Sequence, residues 1–392
     1  VVFCAKIKKD LAKKLFLLAG EASGDLHGAG VVRQLLTRLP DLDVFGIGGN
    51  HLKSLGMRQL YHAEQVNVMG FVEVARHFSF LRGVLNHVKS AVRHEQPDAA
   101  LLIDYPGMNL RLAEFLCGEG VPVIYYIAPQ VWAWKENRVA LLKKFVTRLL
   151  VVFEFEVEFF RARGVEATFV GHPILEELSE LQLPSRLDFT RGLGVSEHQQ
   201  FLGLLPGSRA QEVERMLPEM LRAASSLEKT FGLCSLLGVA PTIPASLYDR
   251  ILSASSVQPH RVSAYETMQF SDLALVTSGT ATLETLCFGT PMIVHYKTAA
   301  LNYAIGKRLV KIQKIALANI IAEGLEGNKK LVPELIQQEM TAENITRTAT
   351  QILRDPAALA ETRSRLLAAK TNLGSLRPSV EVSRVILETL NS

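Results

Sequence analysis

Two short segments of this chain set a glycine, a hydroxyl and an arginine or glutamate where an anion would sit. In Leu204-Leu205-Pro206-Gly207-Ser208-Arg209 a buried apolar run gives way to a helix-forming stretch. Gly207 lets the backbone approach a ligand, Ser208 can cap the helix, and the free N–H groups of a helix start attract negative charge. Arg209 adds a planar fork matched to phosphate oxygens. Glu212, three residues on, either caps Arg209 or holds the loop. An ordinary capped turn fits this segment equally well. Ser278-Gly279-Thr280-Ala281 repeats the arrangement after another apolar run, with small residues that let a phosphate rest on backbone amides. Glu284 falls four residues after Thr280 and so on the same helical face, from which its carboxylate can accept from both hydroxyls of a ribose. The competing view makes Glu284 a solvated surface residue. Two such turns, clamped by Arg209 and Glu284, favour a nucleotide. No complete G-x-G-x-x-G follows a strand, which argues against an adenine dinucleotide.

A second group of residues, in the first half of the chain, carries carboxylates instead. Ala19-Gly20-Glu21-Ala22-Ser23-Gly24-Asp25 joins an apolar strand to a helix. Glu21 and Asp25 would repel a phosphate, so the loop is read as binding sugar hydroxyls, against the simpler reading of Ser23 or Asp25 as a helix cap. Ala100-Leu101-Leu102-Ile103-Asp104 ends an apolar strand on one carboxylate, placed to take a proton from an attacking hydroxyl or to cap the turn at Pro106-Gly107. Trp132 and Trp134 share a face if their segment is extended, and would suit a sugar ring or an acyl chain; packing in a core or lid is the alternative. His172, in Gly171-His172-Pro173, either meets a substrate phosphate or satisfies a carbonyl. The apolar edge Val66-Asn67-Val68-Met69-Gly70-Phe71-Val72-Glu73-Val74, leading into Phe78-Ser79-Phe80-Leu81 with Arg76, Arg82 and Lys89 nearby, suits an anionic membrane interface or acyl chains, and suits a buried strand with a core helix as well. The one Asp-x-Asp, Asp41-Leu42-Asp43, lies in a turn away from both groups, and the histidines show no paired ligand spacing. No G-x-S-x-G elbow is present. A mechanism without metal or cofactor follows, with Arg209 and helix dipoles stabilising a leaving diphosphate.

These residues need rigid elements behind them. Apolar runs at 15–19, 44–47, 100–104, 121–127, 149–153 and 168–170 alternate with helical segments such as 24–39, 81–94 and 108–118. After a polar linker at 179–194 the pattern restarts with runs at 201–205, 233–239, 261–262, 273–277 and 292–296. Past Asn328 the chain is expected to be wholly helical, over 332–338, 342–353, 357–370 and 380–390. Near-continuous apolar strands separated by helices imply parallel sheets covered on both faces, with ligands at the strands' C-terminal ends. The expected class is therefore α/β: two Rossmann-like, doubly wound domains, an interdomain cleft and a helical C-terminal tail. Their bounds are set at 1–184 for an acceptor-binding domain, 185–365 for a nucleotide-sugar domain, and 366–392 for helices that cross to the first domain or to a partner subunit.

Composition agrees with this size. At 392 residues, 48% hydrophobic and 21% charged, the chain exceeds one ordinary core and is no disordered protein. Cys4, Cys117, Cys234 and Cys287 are scattered, as reduced thiols would be. A net charge of +4 suits phosphorylated substrates or an anionic membrane surface, and no dense basic stripe calls for nucleic acid. The longest apolar runs fall far short of a membrane span. No secretory signal is read, and since the sequence opens on Val1 an upstream segment stays open.

Taken in order, Leu18 to Asp25, Val68 to Val74, Ile103-Asp104-Tyr105-Pro106, Val131-Trp132-Ala133-Trp134, Gly171-His172-Pro173, Leu205 to Arg209 and Ser278 to Glu284 resemble the lipid-A-disaccharide synthase family. The resemblance runs from about residue 15 to about 338. It implies a GT-B fold and an inverting, metal-independent transfer that joins UDP-2,3-diacylglucosamine to 2,3-diacylglucosamine 1-phosphate by a β(1→6) bond, releasing UDP, in lipid A synthesis. It also implies a peripheral protein on the cytoplasmic face of the inner membrane, and a homodimer exchanging C-terminal helices, with which the helical tail is compatible. By position, Asp104 becomes the general base. Gly20, Glu21, Ser23, Gly24, Asp25, Trp132 and His172 fall to the acceptor. Gly207, Ser208, Arg209, Glu212, Ser278, Gly279, Thr280, Ala281, Glu284 and Asn319 fall to UDP. Val68, Met69, Phe71 and Val72 fall to membrane or acyl contact. Two departures stand out: Ala318 where the family reads proline before Asn319, and Phe153-Glu154-Phe155-Glu156 where it reads Leu-Pro-Phe-Glu. The rivals are another GT-B enzyme of UDP-N-acetylglucosamine, such as the peptidoglycan glycosyltransferase or a 2-epimerase, and a non-catalytic UDP-sugar-binding protein.

Overall fold

A computed structural model describes residues 12–66, 78–298 and 314–391. The chain forms two compact units, one made of residues up to Glu176 together with those from Gly374 onward, the other of Glu177–Leu373. The first break therefore falls inside the helix Pro173–Ser179 rather than at 184/185, and the second at 373/374 rather than 365/366.

In the first unit the strands are β1 (Lys14–Ala19), β2 (Asp43–Gly48), β3 (Arg58–His62), β4 (Ala99–Ile103), β5 (Val123–Tyr126), β6 (Arg148–Val151) and β7 (Ala167–Phe169). They form one parallel sheet in the order β3-β2-β1-β4-β5-β6-β7. β1 and β4 are buried along nearly their whole length, which is why both read as unbroken Leu, Ile, Phe and Ala runs. One face of the sheet packs Phe16, Leu18, Ala100, Leu102 and Tyr125 against the helices Phe78–Glu95 and Pro106–Gly118. The C-terminal helix Pro378–Asn391 lies on the helix Ala22–Leu36 and completes this unit. Its start is held from within the same unit. Glu176 accepts from Ser379 N at 3.0 Å and from the Ser379 hydroxyl, and pairs with Arg377 at 3.3 Å.

In the second unit β8 (Phe201–Leu205), β9 (Cys234–Val239), β10 (His260–Ser263), β11 (Leu273–Thr277), β12 (Met292–Tyr296) and β13 (Glu334–Ile336) are again parallel, in the order β10-β9-β8-β11-β12-β13. The expected helix at 332–338 is thus a strand followed by a turn. Val332 and Met340 are buried beside it, and β13 takes the free edge of β12 through Glu334 opposite Val294. The expected linker at 179–194 holds a helix, Arg186–Leu193, capped by Ser185 and closed by Gly194 in the left-handed conformation. Its Phe189 stacks on Phe270 with ring centroids 4.1 Å apart, so this stretch belongs to the core of the second unit. Among the described residues no helix is long and apolar enough to cross a membrane.

Candidate functional site

Each sheet reverses its strand order once, between β1 and β4 in the first unit and between β8 and β11 in the second. Loops leaving adjacent strands at such a point diverge to opposite faces and open a crevice for ligands. Four of the segments singled out by sequence, those after β1, β4, β8 and β11, leave these strands.

In the first unit Asp104 and Tyr105 both take the left-handed conformation, with φ of 44° and 43°. Neither residue adopts it at no cost. The strain is held by bonds to the main chain: the Asn109 amide and the Tyr125 hydroxyl donate to Asp104 O at 2.7 and 2.6 Å, and Asp104 N donates to Tyr126 O. The Tyr105 ring lies against Gly20, where a Cβ would stand 2.6 Å from the ring, so only glycine fits. Burial, reinforced by the charge of Glu21, pushes the Asp104 carboxyl up to about 6. A carboxylate with that affinity for protons is suited to act as a base near neutral pH.

Asp104 lines a pocket of about 200 Å³ at the C-terminal ends of β4, β5 and β6, with Ile127, Gln130, Trp134, Arg138 and Glu156 among the other walls. Trp134, not Trp132, is the tryptophan of this pocket. The segment is a turn, with Ala133 N and Trp134 N both donating to Gln130 O, so the two indoles do not share a face. Trp132 is buried and donates from Nε1 to Glu156 at 2.9 Å. The other Glu156 oxygen accepts from Val152 N and Phe153 N, and burial pushes its carboxyl up to about 7. Glu154 opens the helix Glu154–Arg161, exposed at its positive end, where a carboxylate is as acceptable as proline.

Asp25 does not reach for a ligand. Its carboxylate accepts from Gly49 N, His51 N and Leu52 N at 2.6, 2.9 and 3.1 Å, and so caps the helix Asn50–Ser54. Ser23 remains exposed in the first turn of the helix Ala22–Leu36, Gly24 packs that helix on Ala19, and Glu21 is its cap residue. His172 accepts from Ile174 N through Nδ1, and burial pushes it down to about 3, so it is a neutral imidazole with Nε2 as its donor. Val68, Met69, Phe71 and Val72 lie outside the described residues.

In the second unit Gly207 has φ of +110° and leaves room for the Glu212 carboxylate, which a Cβ would meet at 2.4 Å. Glu212 accepts from Ser208 N at 3.2 Å and pairs with Arg209 at 2.9 Å, so it serves both tasks foreseen for it. Arg209 is the cap residue of the helix Ala210–Phe231 and its side chain is largely exposed. After β11, Ser278 N donates to His295 O and the Ser278 hydroxyl to Ile315 O, which fixes the turn before the helix Thr280–Cys287. Gly279 and Thr280 are exposed. Glu284 is not the solvated residue of the alternative reading. It shares the Tyr265 hydroxyl with Glu177, whose Oε1 lies 2.7 Å from it, and burial plus the Glu177 charge pushes Glu284 up to about 7. Tyr265 and Glu177 were not visible as site residues, since neither stands in a glycine-rich turn.

Asn319 is wholly buried and fully engaged: its amide donates to Val332 O and Glu334, and its oxygen accepts from Val332 N, each at 2.9 Å. Glu334 also accepts from Ile315 N and Ala316 N. Asn319 thus acts as a strut of the loop, and the loop holds its shape with Ala318 in place of proline. Asn319→Ala leaves several buried groups unpaired and is expected to cost about 3 kcal/mol, read as a lower urea midpoint with UDP affinity little changed. Weaker UDP binding at unchanged stability would return Asn319 to the nucleotide.

A sequence profile described as Lipid-A-disaccharide synthetase matches residues 15–378. The lipid-A-disaccharide synthase of Geobacter metallireducens is 37% identical over 381 residues, 96% of this chain and 97% of that protein. Among solved structures, a UDP-GlcNAc 2-epimerase from Neisseria meningitidis bound to UDP-GlcNAc superposes with a TM-score of 0.58 at 12% identity, over 97% of this chain and 99% of the other. CalG4, the calicheamicin glycosyltransferase, superposes with a TM-score of 0.59 at 15% identity, again over 97% and 99%. At these identities the two structures speak for the fold alone.

Proposed function

This chain belongs to the lipid-A-disaccharide synthase family, and from that premise we propose that it joins UDP-2,3-diacylglucosamine to 2,3-diacylglucosamine 1-phosphate. The product is the β(1→6)-linked lipid A disaccharide 1-phosphate, and UDP is released. Its two parallel-sheet domains have the GT-B architecture. Asp104 is the observation that carries the catalytic reading: a strained, desolvated carboxylate at the switch point of the first sheet, with its main chain clamped and its proton affinity raised toward neutrality.

In this reading Asp104 takes the proton of the acceptor 6-hydroxyl as O6 attacks the anomeric carbon of the donor. The bond from that carbon to the diphosphate breaks, and its electrons leave on UDP. Attack from the face opposite an α-linked diphosphate gives the β product, hence inversion. Arg209 and the free amides at the start of the helix Thr280–Cys287 neutralise the departing charge without requiring a metal ion. Glu284 takes the ribose hydroxyls. Glu21 and Ser23 remain candidates for acceptor hydroxyls, and Trp134 replaces Trp132 as the aromatic wall. Work at the cytoplasmic face of the inner membrane agrees with the exposed Phe80 and the basic residues of the helix Phe78–Glu95.

The test is UDP release from UDP-2,3-diacylglucosamine, measured with and without 2,3-diacylglucosamine 1-phosphate and with a chelator present. Acceptor-dependent release with a disaccharide product, unaffected by the chelator, is the expected result. Release that ignores the acceptor, or none despite UDP binding, would refute the assignment.

A further inference from the structure

The pocket beside Asp104 holds a feature that the base does not need. Arg138 lines it, and its guanidinium carbon stands 5.3 Å from the centre of the Trp134 ring. Lys135 Nζ stands 4.4 Å from the same ring. Two cations thus share one indole, although like charges repel. The only carboxylate between them in sequence, Glu136, is turned to Arg163 at 2.8 Å. Among the described residues neither Arg138 nor Lys135 has an ion pair. Desolvation disfavours both charges, and for Lys135 the charge of Arg138 adds to it. Lys135 is also held in the left-handed conformation, with φ of 54°, at the start of the turn Glu136–Arg138. Backbone strain, mutual repulsion and, for the half-buried Arg138, lost hydration therefore meet at one place with no ion pair among the described residues. The acids of the same pocket do not supply it: Glu156 spends both oxygens on Trp132 and on two amides, and Asp104 faces Glu21.

We infer that Arg138, with Lys135 beside it, binds the anomeric phosphate of a hexosamine 1-phosphate, while Asp104 faces a hydroxyl of the same sugar. The inference rests on the reading of the first unit as the acceptor side. A sugar bearing a phosphate at one end and a nucleophilic hydroxyl at the other matches a pocket with a cationic wall and a basic carboxylate. A planar guanidinium suits phosphate oxygens, and Trp134 adds an aromatic wall to the same pocket against which a sugar can rest. Trp134 would then report occupancy.

The full-length chain is titrated with glucosamine 1-phosphate, glucosamine and inorganic phosphate, following tryptophan fluorescence, and compared with Arg138→Ala and Arg138→Lys. In parallel, KM is measured for the acceptor with and without its phosphate, and for the donor. Arg138→Ala is expected to weaken glucosamine 1-phosphate binding and to raise KM for the phosphorylated acceptor about 10- to 100-fold. Binding of glucosamine, turnover of the dephosphorylated acceptor and the donor KM are expected to stay as they were, with Arg138→Lys recovering part of the loss. Equal losses with both acceptors, an unchanged preference for the phosphorylated sugar, or a rise confined to the donor KM would overturn the inference. Binding of glucosamine 1-phosphate through Arg138 in a chain that never releases UDP would instead refute the proposed reaction and leave the site standing.

Discussion

Asp104→Asn is expected to lower turnover by about two to four orders of magnitude, the range of a lost general base, and to leave UDP affinity unchanged. The pH profile of the parent enzyme separates this from damage to the fold. Burial raises the Asp104 carboxyl from its ordinary value of 3.8 to about 6, so the ionised, active form is lost as pH falls through 6. An acid limb near pH 6 is expected in the parent and absent from the residual activity of the variant. Stability should move the other way. A carboxyl whose affinity for protons rises on folding costs stability when ionised, and that cost grows between about pH 4 and pH 6 and is constant above. Asparagine removes it, so the variant is expected to be more stable than the parent at pH 8, by at most about 3 kcal/mol, with the difference fading in acid. A variant that loses UDP binding together with turnover would make Asp104 a structural residue.

Arg209→Ala is the complementary case. The largely exposed side chain of Arg209 forms an ion pair with Glu212, an interaction worth little in water. Against a diphosphate the same guanidinium makes charge-assisted bonds worth about 1.5–3 kcal/mol, so its removal should weaken UDP binding by one to two orders of magnitude. Unchanged UDP affinity would remove Arg209 from the phosphate site. If Asp104→Asn acts on turnover and Arg209→Ala on the donor, the two roles are assigned to two separate units of the chain.

The sequence was informative where one residue type has one physical use. Buried parallel strands must be continuously apolar, so β1, β4, β8 and β11 stood out, and with them the loops that leave the sheets at their switch points. It was silent on how polar side chains are spent. Asp25 lies in a glycine-rich loop, as a ligand would, but Gly49, His51 and Leu52 claim its carboxylate from more than 20 residues away. Asn319 is claimed in the same manner by Val332 and Glu334. The tryptophans were read as sharing a face if their segment is extended, with core packing as the alternative; the chain turns at Gln130 and buries Trp132. Residues 332–338 were misjudged for a related reason: a short edge strand flanked by polar residues carries no period of its own, and the open side of β12 decides it. What could not be read was therefore tertiary: which of two plausible partners each polar group finally meets.

The first unit is built from two stretches with the whole of the second unit between them. On the ribosome this sets an order. The second unit has all its described strands and helices available before the helix Pro378–Asn391 is made, and can mature as an independent module. The first unit emerges earlier and is completed later, its helix Ala22–Leu36 lacking its cover until Pro378–Asn391 is made. A chain interrupted between Leu373 and Pro378 therefore carries a finished second unit and an unfinished first unit, whose uncovered helix makes it a natural client for chaperones and proteases.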